Sequence, residues 1–259
     1  VNQIDDDGDA LIDCADPDCF YEAPCQTCWP QSLSPSSPSL STGDRFGQDC
    51  EIYGDHAIIG SPQDLPLGTD PSGSAAIYTW DRALNRWNFD QQLIPESTGC
   101  DPDQDFGVGV AIHKRTAAVG AIRSNCGGSP QNAGRVFIYE KDNVTDQWIE
   151  SQVLTSPLQA GTNYYPDFGG TLAVNDYWLI VGMPNYRTSS NCTLGAIAIY
   201  KKSTETGIWE LNQTFVNNTC NDRFGQSLSL TGNTFVTGGT AQNEEQVVIF
   251  EYDPFSESW

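Results

Sequence analysis

The densest chemistry in the sequence lies at its start. Asp5, Asp7 and Asp9 alternate, Gly8 permits a sharp turn between them, and Asp13 follows at the ninth position of the loop. A hard cation such as Ca2+ takes six to eight oxygens from a flexible loop of this kind. Carboxylates crowded this closely repel one another by about 1 kcal/mol per pair at 4 Å even in water. A bound divalent ion removes that conflict. The expected ligands are Asp5, Asp7, Asp9 and Asp13, with the backbone carbonyl of Leu11, and the expected cofactor is structural Ca2+. Asp16 and Asp18 add further oxygens or solvate the loop.

Other reactive residue types are sparse. Cys25 and Cys28 have the spacing of a zinc or redox pair, but no second such pair and no nearby His accompany them, so disulfides are the better expectation, with Cys50 as one candidate partner. The two histidines, His56 and His113, fall at or beside expected hairpin turns and read as surface residues. No nucleophile elbow or phosphate-cradling glycine loop is present, so the chain reads as a non-enzyme. Nine cysteines suggest an oxidising compartment, and their odd number leaves at least one thiol free or paired with another molecule. Four N-glycosylation sequons, at Asn143, Asn191, Asn212 and Asn217, point the same way, to a secreted glycoprotein. The formal net charge of −22 repels phosphate backbones and anionic lipid surfaces, which argues against nucleic-acid binding. No stretch approaches the roughly 18–20 apolar residues of a membrane helix. Val1 stands where an initiator Met would, so a processed or truncated start is expected.

The elements that must carry these groups repeat. Phe46-Gly47, Phe106-Gly107, Phe168-Gly169 and Phe224-Gly225 stand 60, 62 and 56 residues apart, and a second glycine follows each Phe by 14 residues, at Gly60, Gly120, Gly182 and Gly238. Such a period is a repeat architecture. Each unit reads as four short strands. The first two flank tight turns at Gly54-Asp55, His113-Lys114, Asn175-Asp176 and Gly232-Asn233. The third is an apolar run such as Val136-Phe137-Ile138-Tyr139, and the fourth opens at Trp87, Trp148, Trp209 or Trp259. Four-stranded units of this length suggest the blades of a β-propeller, an all-β fold. The repeating Phe and Trp residues are expected to pack within and between blades. The fourth unit reaches Trp259 where its outer strand should begin, so the expectation is either that the chain is a fragment or that another molecule or segment completes the sheet. The expected division is a Cys-rich head over residues 1–29, a Ser/Pro linker over 30–43, and blades over 44–99, 100–161, 162–217 and 218–259.

The Phe-Gly pairs, together with Gly60-Ser-Pro, Gly120-Ala-Ile, Gly182-Met-Pro and Gly238-Gly-Thr, resemble the FG-GAP repeats found in the integrin α head and in many secreted proteins. The resemblance spans residues 44–259 and implies the propeller fold more specifically than any function. The turns between the first two strands are too short for the family's calcium loops, and the nearest substitute is Asp101-Pro-Asp103-Gln-Asp105. The head resembles the Asp-rich calcium loops of thrombospondin type 3 and dockerin repeats, but departs from the EF-hand in lacking a Glu at the twelfth position. On the propeller reading, the loop after strand two and the link to the next blade emerge on one face. This pairs Cys100 with Cys126 and Cys192 with Cys220, each bond closing a loop worth roughly 3–4 kcal/mol. The function expected is that of a calcium-binding structural or adhesive protein that binds protein partners or self-assembles into an extracellular filament or array. Alternatives are a module for carbohydrate or cell-surface ligands, and a non-catalytic domain of a larger extracellular hydrolase.

Overall fold

A computed structural model describes residues 33, 43–65, 73–95, 105–124, 133–158, 165–189, 192–239 and 246–259. The chain divides into two units, Val1–Ser34 and Pro35–Trp259. The described part of the second is all β, without a helix. The expected head therefore lies outside the described residues, as do Cys100, Cys126 and Asn191.

Four antiparallel sheets follow one another as propeller blades. Blade 1 comprises β1 (Cys50–Tyr53), β2 (His56–Ser61), β3 (Ser74–Asp81) and β4 (Arg86–Leu93), paired in chain order. Blade 2 repeats this with β5 (Phe106–His113), β6 (Thr116–Ala121), β7 (Arg135–Lys141) and β8 (Trp148–Thr155). Blade 3 has β9 (Thr171–Val174) and β10 (Trp178–Met183), then a two-stranded ribbon of β11 (Arg187–Ser189) and β12 (Cys192–Thr193), then β13 (Ala196–Lys202) and β14 (Trp209–Val216). Blade 4 holds three strands, β15 (Ser227–Thr231), β16 (Thr234–Gly239) and β17 (Gln246–Glu251). A turn closed by Asp253 and Ser258 then brings Trp259 to the position at which the other blades begin their outer strand.

Local sequence explains the hairpins. Tyr53 pairs with His56 around Gly54-Asp55, and Thr231 with Thr234 around Gly232-Asn233; both glycines take the positive φ that such turns require. The second turn falls one residue later than expected, at Lys114-Arg115, because the apolar register pairs Ile112 with Ala117 and His113 with Thr116. The third spans residues 175–178, where the Asn175 carboxamide accepts from the N–H groups of Tyr177 and Trp178.

Consecutive blades meet by one recurring rule. The leading face of a blade, turned toward its predecessor, contributes the residues four and six positions after the repeat Phe. The trailing face of the predecessor contributes the third-strand pair that begins opposite the repeat glycine. Val110 and Ile112 thus pack with Ala75 and Ile77, Leu172 and Val174 with Val136 and Ile138, and Leu228 and Leu230 with Ile197 and Ile199. Full burial of such side chains is worth about 1.5–3 kcal/mol each. Phe106 sits between blades 1 and 2, with its ring 5.3 Å from that of Phe137.

The repeat glycines explain the 14-residue offset. A Cβ on Gly60 would lie 1.9 Å from the carbonyl oxygen of Gly107, one on Gly120 1.9 Å from that of Gly169, and one on Gly182 2.2 Å from that of Gly225. The Phe-Gly backbone of each blade therefore presses on the second glycine of the blade before it. Only glycine leaves room for that approach.

A second device was also present in the sequence, as Trp87…Gln91, Trp148…Gln152 and Trp209…Gln213. Each outer strand carries a bulge beside its Gln, where one extra residue (Asp90, Ser151 or Asn212) interrupts the register. Bulges re-aim side chains. Here the Gln91 amide donates to Trp148 O and accepts from Trp148 N, both at 2.8 Å; Gln152 does the same to Trp209, and Gln213 accepts from Trp259 N at 3.1 Å.

Candidate interaction surface

The polar groups of the blades are committed to the seams. Asp49, just before β1, and Glu51, on it, reach the inner edge of β5, where their carboxylates accept from Val110 N at 2.8 Å and Ile112 N at 2.6 Å. Burial raises the pKa of Asp49 and pushes that of Glu51 up to about 7, against the opposing effect of the amide hydrogen bonds. Tyr53 lies on His113 with ring centroids 4.2 Å apart, and Asp176 receives His113 at 3.5 Å and Lys114 at 2.6 Å. His56 is half-buried, bonds Thr79 Oγ1 at 3.1 Å and stands edge-on to Trp148; burial lowers its pKa. Both histidines are thus seam residues rather than the free surface residues expected. Each contacts a blade some 60–90 residues away in sequence, a neighbour that no local pattern reveals.

Lysines continue the seams. Lys202 Nζ meets Glu140 of blade 2 at 2.7 Å and lies over the Trp209 ring, while buried Lys141 reaches Asp90 of blade 1 at 3.9 Å, meets Asp146 at 3.2 Å and lies over Trp148. A 440 Å³ depression beside this seam is lined by Arg115, Glu140, Lys141, Asp142, Asn143, Ile149 and Ser151. It is open, and its lining mixes charged side chains with apolar surface such as Ile149. An equivalent depression on blade 1 is bounded by Thr79, Trp80, Asp81, Asn88, Phe89 and Asp90.

The expected modification and metal residues divide as follows. Cys192 and Cys220 form a disulfide, tying β12 to the link between blades 3 and 4. Cys50 is an exposed thiol with no disulfide among the described residues, and the N-terminal cysteines considered as its partners lie outside them. Asn143 is exposed in the outer turn of blade 2, and Asn212 is exposed at the β14 bulge. Asn217 differs: its amide donates to the buried carboxylate of Asp222, and its oxygen accepts from Thr219 N. That amide is occupied within the fold. The expected calcium ligands Asp5, Asp7, Asp9, Leu11 and Asp13 lie outside the described residues. Asp105, the described member of the acidic run before blade 2, is buried and paired with Arg123 at 3.1 Å.

The remaining feature is an open apolar surface at each end of the blade series. On blade 4, Val247 and Ile249 are 73% and 66% exposed, although they occupy the trailing positions that are fully buried in the first three blades. On blade 1, Ile52 is 61% exposed, where its counterpart Ile112 is 1% exposed. A Cβ on Gly47 would meet nothing within 4 Å, unlike one on Gly107, Gly169 or Gly225. Ile59, Ala76 and Tyr78, farther out on the same face of blade 1, are buried. The outer edge of β17 pairs with no strand among the described residues.

No protein-family model matches the chain, and no curated protein matches it in sequence. Among solved structures it is similar to Sqt1 of Saccharomyces cerevisiae, with 11% identity and a TM-score of 0.40, covering 76% of this chain and 41% of that one. It is similar also to a functionally unknown protein of Desulfotomaculum acetoxidans, with 13% identity and a TM-score of 0.40, over 82% and 57% of the two chains. A third is a provisionally assigned 6-phosphogluconolactonase of Bacteroides fragilis, with 8% identity and a TM-score of 0.41, over 82% and 68%. The chain thus spans about half the length or less of the first two. The propeller assignment rests on the chain's own four sheets. No helix among the described residues is long and apolar enough to cross a membrane.

Proposed function

We propose that this chain is a secreted, N-glycosylated structural or adhesive protein of the FG-GAP type. Its head binds Ca2+, its propeller is a non-catalytic scaffold for protein contacts, and its setting is an extracellular filament or array. The observation that carries the reading is the distribution of side chains. Charged and aromatic groups brace the seams, whereas apolar Val247 and Ile249 stand open beside a strand edge that pairs with no strand among the described residues. An open edge with apolar neighbours is a template for protein contact. The contacts of Gly107, Gly169 and Gly225 with Gly60, Gly120 and Gly182 of the preceding blades support the FG-GAP resemblance. The Cys192–Cys220 disulfide and the exposed sequons at Asn143 and Asn212 support secretion.

The test is aggregation of beads coated with the purified chain from a secretory host, with glycopeptide mapping of the same material. Calcium-dependent clustering, with glycans on Asn143 and Asn212 and a bare Asn217, is the expected result. Beads that stay dispersed with and without Ca2+ would overturn the adhesive reading.

A further inference from the structure

An N-glycan acceptor and a disulfide share the link between blades 3 and 4. Asn217, Thr219 and Cys220 lie between β14 and β15, and Cys220 is bonded to Cys192 on β12. The bonded link lies against blade 3: Asn221 N donates to Thr193 O at 2.5 Å and Asn217 N to Gly195 O at 3.2 Å, and Thr193 is buried. Within it the Asn217 amide donates to the carboxylate of Asp222, which is 0% exposed. The other oxygen of that carboxylate has no hydrogen-bond partner among the described residues, and a Cβ on Gly239 would lie 2.9 Å from it. Asn217 is thus the side-chain donor on which a buried carboxylate depends, and leaving such a group unpaired is costly. Asn221 and Arg223, on either side of Asp222, hold φ of 64° and 51°, a backbone that an untethered chain readily leaves. Chain order matters as well. Cys192 precedes Cys220 by 28 residues, and Cys220 directly follows Thr219, so one thiol is already waiting when the Asn217-Asn-Thr219 acceptor is completed.

We propose that Asn217 is a conditional N-glycan acceptor whose two fates exclude one another: bare when Cys192 and Cys220 are joined, glycosylated when they are not. In the first fate the two thiols pass two electrons and two protons to a disulfide-bearing oxidant and become the bond. In the second, Asn217 Nδ2 takes the anomeric carbon of a lipid-diphosphate-linked oligosaccharide and loses a proton as the lipid diphosphate departs. The sugar replaces an amide hydrogen on the nitrogen that meets Asp222, so it cannot enter the closed link. Once attached, it keeps Asp222 from its donor, the link stays open, and Cys192 and Cys220 remain thiols. Asn143 and Asn212, both exposed, carry no such condition. This inference rests on the secreted-glycoprotein reading and adds the control of one of its sites.

The experiment expresses the whole chain in a secretory host behind the host's own signal peptide, with and without dithiothreitol during synthesis. Free thiols are alkylated and the peptides are mapped by mass spectrometry without reduction. Wild-type chains made without reductant are expected to carry the Cys192–Cys220 bond and a bare Asn217. With reductant, or in Cys220→Ser, occupancy of Asn217 is expected to rise about tenfold or more, because loop closure no longer holds the link shut. Wild-type molecules with a glycan on Asn217 are expected to carry alkylated Cys192 and Cys220, even after the reductant is washed out. That co-occurrence is read within single wild-type molecules, so it does not depend on whether a variant folds. Molecules carrying both the bond and a glycan on Asn217, or an Asn217 that stays bare in Cys220→Ser, would each overturn the proposal. Glycans on Asn143 and Asn212 in the same digest test the glycoprotein reading separately. Their presence beside a bare Asn217 in Cys220→Ser would retain that reading while removing this one.

Discussion

Replacing Glu51 by Gln tests the seam between blades 1 and 2 through its pH dependence. The carboxylate lies between the inner strands and accepts from Ile112 N at 2.6 Å. Burial, aided by the nearby Asp49 charge, raises its pKa from 4.5 to about 7. The unfolded chain releases this proton near pH 4.5, whereas the folded chain holds it until about pH 7. The stabilising contribution is therefore complete below 4.5 and is lost as the pH rises toward 7. Above that, the folded state carries a half-buried negative charge that the unfolded state leaves in water. At 1.36 kcal/mol per unit, the interval from 4.5 to 7 sets a ceiling of about 3 kcal/mol. Partial contact with water reduces this to roughly 1–2 kcal/mol. Gln retains an oxygen for Ile112 N and removes the charge. Glu51→Gln should match the wild type near pH 4 and exceed it near pH 8 by about 2–8 °C in Tm, at 2–4 °C per kcal/mol for a chain of this size. Differential scanning calorimetry across that range decides the matter. Parallel Tm profiles for the two proteins, or a variant less stable near pH 8, would refute a neutral Glu51 in the seam.

Two further pairs of substitutions address the junction rule. Gly120→Ala places a methyl group 1.9 Å from Gly169 O, with backbone on both sides and no side chain free to yield. Denaturant melts should show a loss of about 3 kcal/mol or more, whereas Gly207→Ala, in open space at a φ of 73°, should lose only about 1–2 kcal/mol. Gln152→Ala removes two 2.8 Å hydrogen bonds to the Trp209 backbone and should cost about 2 kcal/mol by the same melts, with Gln152→Glu recovering less than half because its carboxylate cannot donate to Trp209 O.

The residues that made the blades legible in the sequence are those whose role repeats with the chain. Phe46, Phe106, Phe168 and Phe224 and the glycines that follow them mark every blade because each junction needs the same large side chain and the same close backbone approach. The Trp-x-x-x-Gln series was equally periodic, yet its meaning depends on a bulge and on a partner strand in the next blade. Sequence shows the period but not the neighbour. The same applies to His113, whose position beside a turn suggested a free surface side chain, although Tyr53 and Asp176 enclose it from two other blades. Asn217 satisfies the sequon pattern, but only the folded link between blades brings Asp222 to its amide. The second turn was displaced for a related reason, because strand register and not turn preference fixes which residues lie at its tip.

Among the described residues, no blade covers the trailing face of blade 4. Blade 4 handles that exposure in a particular way. The face that carries Val247 and Ile249 is completed on β15 by Ser227, Ser229 and Thr231, all exposed, where the corresponding inner strands of blades 2 and 3 present buried Ala111 and Ala173. The apolar part of the open face is thereby confined to β16 and β17, and its inner third is wet. A polar inner strand needs no partner to satisfy it, and it removes part of the burial that holds the internal junctions together. Contact through this face should consequently be weaker than any junction within the chain and should reverse on dilution. The polar inner strand thereby limits how strongly the exposed Val247 and Ile249 can drive aggregation.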